Sequence, residues 1–139
     1  MRVLAIDFGE KRIGLAVSDA LGITAQGLET LPNTGAKNTL PALQKICQEY
    51  SVNEIVIGLP MNMDGSHGPK AKEVTNFVQK MEEALKIPVK TWDERLSSRQ
   101  ANRLMIEEGL SRKKQKLNSD RLAATLILQS FLETRRYAG

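Results

Sequence analysis

Apolar positions recur along this chain with two different periods. Val3-Leu4-Ala5-Ile6 is an unbroken apolar run, as in a strand buried on both faces. Ile13, Leu15 and Val17 alternate with Gly14, Ala16 and Ser18, a period of two that predicts a second strand. The short link Phe8-Gly9-Glu10-Lys11 makes the pair an antiparallel hairpin. A weaker third strand is predicted over 24–31, ended by Pro32-Asn33. Leu40, Leu43, Ile46, Cys47 and Tyr50 then fall at helical spacing and predict an amphipathic helix over 39–50. A strand over 52–59, a turn-rich loop over 61–68 and a helix over 70–85 follow, the helix carrying Val74, Phe77, Val78, Met81 and Leu85 on one stripe. A short strand is predicted over 88–92. Ser97 or Ser98 caps a third helix that ends at Gly109. Residues 110–116 read as a basic connector, and a last helix runs from Asn118 or Ser119 to Arg136. This order predicts a mixed α/β fold: five strands, the first three antiparallel, with crossover units afterwards and helices on both faces of the sheet.

The length of 139 residues suits a single domain spanning 1–139, and it can bury a real core. With 41% hydrophobic and 26% charged residues, the composition is that of a globular chain rather than a disordered one. No apolar run is long enough for a membrane span, and the opening run meets Asp7 too soon for a signal-peptide core. Cys47 is the only cysteine and His67 the only histidine, so an internal disulfide and a Cys/His zinc cluster are excluded. The expected compartment is the cytoplasm, where thiols stay reduced. The net charge of +4 is unevenly spread: residues 1–85 sum to −2 and residues 86–139 to +6. A basic final third is a footprint for phosphate backbones, or simply a solvated surface.

Three acids stand at positions where such a fold gathers ligands, beyond the C-terminal ends of its strands. Asp7 follows the first apolar run, and Glu94 follows the last strand beside Asp93. Asp120 opens the last helix, on a stripe that continues through Ala123, Ile127 and Phe131 and must pack on the sheet. Taken singly, each has a plainer role, as a turn starter, a helix-start acid or a macrodipole partner. Together they would repel one another unless a cation held them. Mg²⁺ or Mn²⁺ suits such an oxygen donor set, and two ions ~3.5–4 Å apart would activate water and stabilise the leaving oxygen of a phosphodiester.

At these residues the chain resembles the YqgF, or RuvX-like, family, a branch of the RNase H-like nucleases. The resemblance covers nearly the whole chain. Asp7-Phe8-Gly9-Glu10-Lys11-Arg12-Ile13-Gly14 is similar to its D-x-G-x-x-R-x-G signature. Ile57-Gly58-Leu59-Pro60, with Asn62, Asp64-Gly65 and Ser66, is similar to its central GLP loop, and Asp93-Glu94-Arg95-Leu96-Ser97-Ser98 to its D-E-R-x-[ST]-[ST] motif. Asp120-Arg121-Leu122-Ala123-Ala124 resembles the acidic start of its last helix. The resemblance implies a five-stranded RNase H-like fold and a metal-dependent nuclease with ligands at Asp7, Glu94 and Asp120. It also implies a role in trimming the 5′ end of precursor 16S ribosomal RNA. The family was earlier regarded as a Holliday junction resolvase, by similarity to RuvC.

Around these acids, Gly9, Gly14, Gly58 and Pro60 form structural or phosphate-loop positions where backbone can approach closely, or ordinary turns. Arg12 and Arg95 suit phosphate clamping or ion pairing. The amides starting the 70–85 helix could accept a phosphate, and His67 is either a base or a solvent-exposed loop residue. Arg99, Arg103, Lys113 and Lys114 could follow a nucleic-acid backbone. Aromatic residues are only 4%, so recognition should run through backbone and shape rather than extensive base stacking. The expected partners are RNA, namely precursor rRNA, or branched DNA, with no membrane, and the chain a monomer or weak homodimer. Three rivals stand beside the RNA nuclease. They are a dimeric Holliday junction resolvase, a non-catalytic RNA-binding protein, and a fragment of an actin/hexokinase-type ATPase, whose chemistry needs two lobes.

Overall fold

The computed structural model describes residues 2–62, 64–93 and 112–138, with side chains in the last helix described for 122–135. Strand β1 (Arg2–Phe8) and strand β2 (Arg12–Ser18) form the expected hairpin, with Leu4 facing Val17 and Asp7 facing Gly14. The segment expected as one third strand divides into β3 (Ala25–Gly27) and β4 (Leu31–Pro32), both antiparallel to β2. Helix α1 (Ala36–Glu49) leads to β5 (Val52–Leu59), and α2 (Pro69–Leu85) leads to β6 (Val89–Asp93). β5 lies parallel to β1, and β6 parallel to β5. The sheet therefore has six strands in the order β3-β2-β1-β5-β6, with β4 also on β2. Helix α3 (Arg112–Ala138) closes the described chain. No helix among the described residues is long and apolar enough to cross a membrane.

Two boundaries differ from the expectation for local reasons. α1 begins at Ala36, because the carbonyl of Gly35 accepts from the amides of Asn38 and Thr39 at 3.1 and 2.9 Å. Gly35 offers no capping side chain, so the periodic residues from 39 onward hide this first turn. α3 begins at Arg112, so residues 112–116 are helix rather than connector. Lysine, arginine and glutamine are good helix formers, and no glycine or proline interrupts the run. The helix expected over 97–109 lies outside the described residues.

Strand alternation sorts the core into two layers. Leu4 and Ile6 of β1, Ile13, Leu15 and Val17 of β2, and Ile55, Ile57 and Leu59 of β5 face α1 and α2. They pack there against Leu43, Cys47, Val74, Phe77 and Met81. Val3, Ala5, Ala16 and Val56 face the other way, against Ala124, Ile127, Leu128, Phe131 and Leu132 of α3. Each layer removes apolar surface from water on one side of the sheet, and the central strands are apolar on both faces as their unbroken runs require. Burial raises the Cys47 thiol to about 11, so it is a core side chain rather than a reactive one.

Candidate functional site

Asp7 sits one residue before the end of β1 and is half-buried. Alternation fixes its direction: Val3 and Ala5 face α3, so Asp7 faces α3 as well. Its cross-strand neighbour on β2 is Gly14. On its other side the parallel register pairs Ile6 with Ile57, which sets Gly58 beside Asp7. Gly14 and Gly58 share its face, since Ala16 and Val56 do. The carboxylate is thus flanked, about 4.8 Å away on each side, by backbone without side chains. Glycine at both positions leaves the flanks of the carboxylate free of side chains from these strands, and both backbones are buried. These two glycines were legible in sequence as close-approach positions. Their place on either side of Asp7 follows only from the register.

Arg12 opens β2 two residues from Gly14, on the same face as Asp7. The hairpin that brings them together is closed by the Gly9 amide donating to the Arg12 carbonyl at 3.1 Å. A Cβ at Gly9 would collide with that carbonyl, so this glycine is required by turn geometry. Asn33 ties the turn down: its side-chain amide donates to the Gly9 carbonyl at 2.7 Å, and its backbone amide donates to the Lys11 carbonyl at 2.9 Å.

On the far side of Gly58 lies Trp92, its register partner on β6. Trp92 packs edge-on against Phe131, with centroids 5.9 Å apart, in the α3 layer. It is a packing residue, and its buried indole N–H has no hydrogen-bond acceptor among the described residues. Asp93 ends β6 beside Leu59.

The structure locates α3 relative to this floor. Arg135 hydrogen-bonds the Glu54 carboxylate near the start of β5, where Glu54 also meets Lys90 at 3.1 Å. Burial pushes the Glu54 carboxyl upward, but the hydrogen bonds and charges of Arg135 and Lys90 outweigh it and hold the group below the ordinary glutamate range. The guanidinium of Arg135 also stacks over Phe131 at 4.7 Å. The C-terminal part of α3 is therefore pinned at the N-terminal ends of the strands, and earlier residues of the helix extend toward the strand ends that carry Asp7. The predicted buried stripe is present at Ile127 and Phe131, with Ala124 at its centre and Ala123 half-buried. Asp120 lies in α3 four residues before Ala124, and its side chain is outside the described residues. Glu94, Arg95, Arg99 and Arg103 are also outside them, as are the side chains of Lys113 and Lys114, which fall in the first turn of α3. Among the described residues, no three His, Cys, Asp or Glu side chains form a metal-holding group.

The loop between β5 and α2 is a built turn. Pro60 leads into it, the Asn62 amide donates to the Ser66 carbonyl at 2.9 Å, and the Gly65 amide returns to the Asn62 carbonyl at 2.8 Å. The Asp64 carboxylate accepts from both the amide and the hydroxyl of Ser66 at 2.9 and 2.6 Å. His67 is exposed at its end, just before Gly68 and Pro69 begin α2.

Comparison with known proteins agrees with this architecture. The sequence model of the RuvX family, described as a Holliday junction resolvase, matches residues 1–134. A protein of Syntrophomonas wolfei named "Putative pre-16S rRNA nuclease" is 53% identical over 133 residues, covering 96% of this chain and 94% of its own. A protein of Halothermothrix orenii with the same name is 45% identical over 132 residues, covering 95% and 94%. Among solved structures, Thermus thermophilus RuvC in complex with a Holliday junction superposes with a TM-score of 0.57 at 18% identity, covering 98% of this chain and 96% of that one. The fowlpox virus resolvase bound to junction DNA gives 0.56 at 15% identity, covering 97% and 99%. These two likenesses are of fold. The family match and the close relatives span nearly all of the sequence, and the chain belongs to the RuvX family.

Proposed function

We propose that this chain is a divalent-metal-dependent endonuclease that processes the 5′ end of precursor 16S rRNA in the cytoplasm. The 139 residues act as one nuclease domain, as a monomer or weak homodimer. The observation that carries the reading is Asp7, a half-buried carboxylate at the C-terminal end of a buried strand, flanked on its own face by Gly14 and Gly58. A lone surface acid needs no such floor. The oxygen donors Asp7, Glu94 and Asp120 fit Mg²⁺ or Mn²⁺, which prefer carboxylates together with phosphate oxygens. When bound, paired ions supply an activated water and neutralise the leaving oxygen. Asp7, Glu94 and Asp120 would together hold the ions. Arg12, on the same sheet face, holds a phosphate of the strand, and Arg95 orients Glu94 or the substrate. Arg99, Arg103, Lys113 and Lys114 track the neighbouring backbone, so binding weakens as salt rises.

The test incubates the protein with precursor 16S RNA, single-stranded RNA and a four-way DNA junction, each with Mg²⁺, Mn²⁺ or EDTA. The expected result is metal-dependent cutting of the precursor. Asp7→Asn should lower that cleavage by about 10³-fold or more, beyond the 10–100-fold typical of outer-sphere residues, with an unchanged melting profile. Cutting of the junction alone would replace the RNA reading with a resolvase. Undiminished cleavage by Asp7→Asn would remove the metal site.

A further inference from the structure

Directly behind Asp7, on the opposite face of the sheet, lies a cavity of about 470 Å³ that the chemistry above does not use. Its floor is Phe8, the residue after Asp7, paired with Phe77 of α2 at a centroid distance of 4.7 Å. Glu10 from the hairpin turn lines one wall, and Glu73, Asn76 and Lys80 line another from successive turns of α2. The third wall is the entry to α1. Gly35 sits there at φ 103°, a left-handed backbone that favours glycine, and a Cβ built on it would meet nothing within 4 Å. The rim is fixed in advance, because Asn33 joins the Gly9 carbonyl to this entry and also accepts from the Gly35 amide at 3.4 Å.

We propose that this cavity receives one unpaired base of the substrate strand, next to the scissile phosphate, and favours guanine. The proposal rests on the nuclease reading for its substrate and on the cavity for its chemistry. Two carboxylates against one lysine make the lining net negative, which repels a phosphate and suits a ligand edge rich in N–H donors. An aromatic floor suits a flat ring, and unpaired RNA bases are commonly held by stacking on such rings with their edges hydrogen-bonded. Guanine presents adjacent imino and amino donors that one carboxylate accepts together. Uracil presents a single imino donor between two carbonyls, which the carboxylates would repel. Asp7 and Phe8 are consecutive, so the strand need only cross the end of β1 to place a phosphate on one face and a neighbouring base on the other. A low aromatic content argues against extensive stacking, and a single base pocket is consistent with it.

Two experiments test this. In the first, the wild-type protein without metal is titrated with guanosine and with uridine while the ring resonances of Phe8 and Phe77 and the Asn76 side-chain amide are followed by NMR. Guanosine should shift them and uridine should not. The double variant Glu10→Gln, Glu73→Gln should lose the difference. No shift with either nucleoside, or equal shifts that the variant retains, overturns the proposal. In the second, RNA substrates carry guanine or uracil at each position flanking the cut. One position should favour guanine by about tenfold or more, the discrimination expected of a bidentate contact, and the double variant should bring that ratio toward one. A wild-type enzyme indifferent at every flanking position overturns the substrate role. If guanosine binds but no RNA is cut, the nuclease reading fails and the base pocket stands.

Discussion

On the face covered by α1 and α2, apolar side chains run the full length of the two central strands. Leu4, Ile6 and Phe8 line β1, and Ile55, Ile57 and Leu59 line β5. On the α3 face the same strands are apolar only as far as Ala5 and Val56, and then present Asp7 and Gly58. At the other end of that face a buried glutamate, Glu54, replaces a hydrophobe and is met by Arg135 and Lys90. Along these two strands one face thus carries apolar side chains, with the cavity at its Phe8 end, and the other is divided into a charged anchor, an apolar middle and a carboxylate flanked by glycines. A reactive site on a sheet needs room and charge, and both oppose packing. Confining them to one end of one face leaves the opposite layer to hold the fold.

That division can be broken from the packing side first. Ile57 is fully buried in the α1/α2 layer, one residue before Gly58. Ile57→Ala should lower stability by about 2–5 kcal/mol, the range for large-to-alanine changes in a core, read from the urea midpoint. Cleavage by the folded fraction should change little. A variant that kept its stability and lost its cleavage would show that the two faces are not divided as described.

The complementary change comes next in size. Gly58→Ala places a methyl group on the α3 face beside Asp7. Displacement of a bound group by about 1 Å can lower a rate by roughly 10²-fold, so cleavage should fall about 10–100-fold. The protein should remain folded at the assay temperature, by circular dichroism. Full activity would mean that the bare floor is not used by metal or phosphate, and that Gly58 serves only close packing of the sheet.

Much of this contrast was readable in the residues, and the remainder was not, for a geometric reason. Strand periodicity located β1, β2 and β5, because strict alternation, or a short apolar run bounded by turn formers, fits a strand better than a helix. The two-residue β4 carries too little pattern to be separated from β3, and Gly35 hides the first turn of α1. The candidate acids could be picked out because each follows an apolar run or heads the last amphipathic stripe, although Asp7 lies within β1 and Asp120 within α3 rather than at its start. The flanking of Asp7 by Gly14 and Gly58 depends on pairing register across three strands, which no single segment encodes. Glu54 was overlooked, although a lone glutamate within Val52-Asn53-Glu54-Ile55-Val56 was itself a signal that a buried charge needed partners. Trp92 and Phe131, far apart in the chain, meet only because β6 and α3 share a face.

The smallest effect lies at the charged anchor and sharpens the comparison by its pH dependence. Glu54 is buried, but Lys90 and Arg135 are each more than a third exposed, so solvent screens much of their attraction. Glu54→Gln should therefore lower stability by only about 1 kcal/mol at neutral pH. Since the folded carboxyl titrates below its ordinary value, its contribution is complete above the unfolded value of about 4.3 and is lost as pH falls through the folded one. The difference in urea midpoint between wild type and Glu54→Gln should stay constant from pH 8 to pH 5 and close below about pH 4. A gap that persisted undiminished at pH 3 would mean that shape rather than charge holds α3 at this end of the sheet. Loss of the anchor should also loosen the helix that carries Asp120, so cleavage by Glu54→Gln should fall below that of wild type from pH 8 to pH 5, and this deficit should close below about pH 4 as the stability gap does. If cleavage instead stays at the wild-type rate while stability falls, the apolar middle of the face alone sets the position of α3 over Asp7.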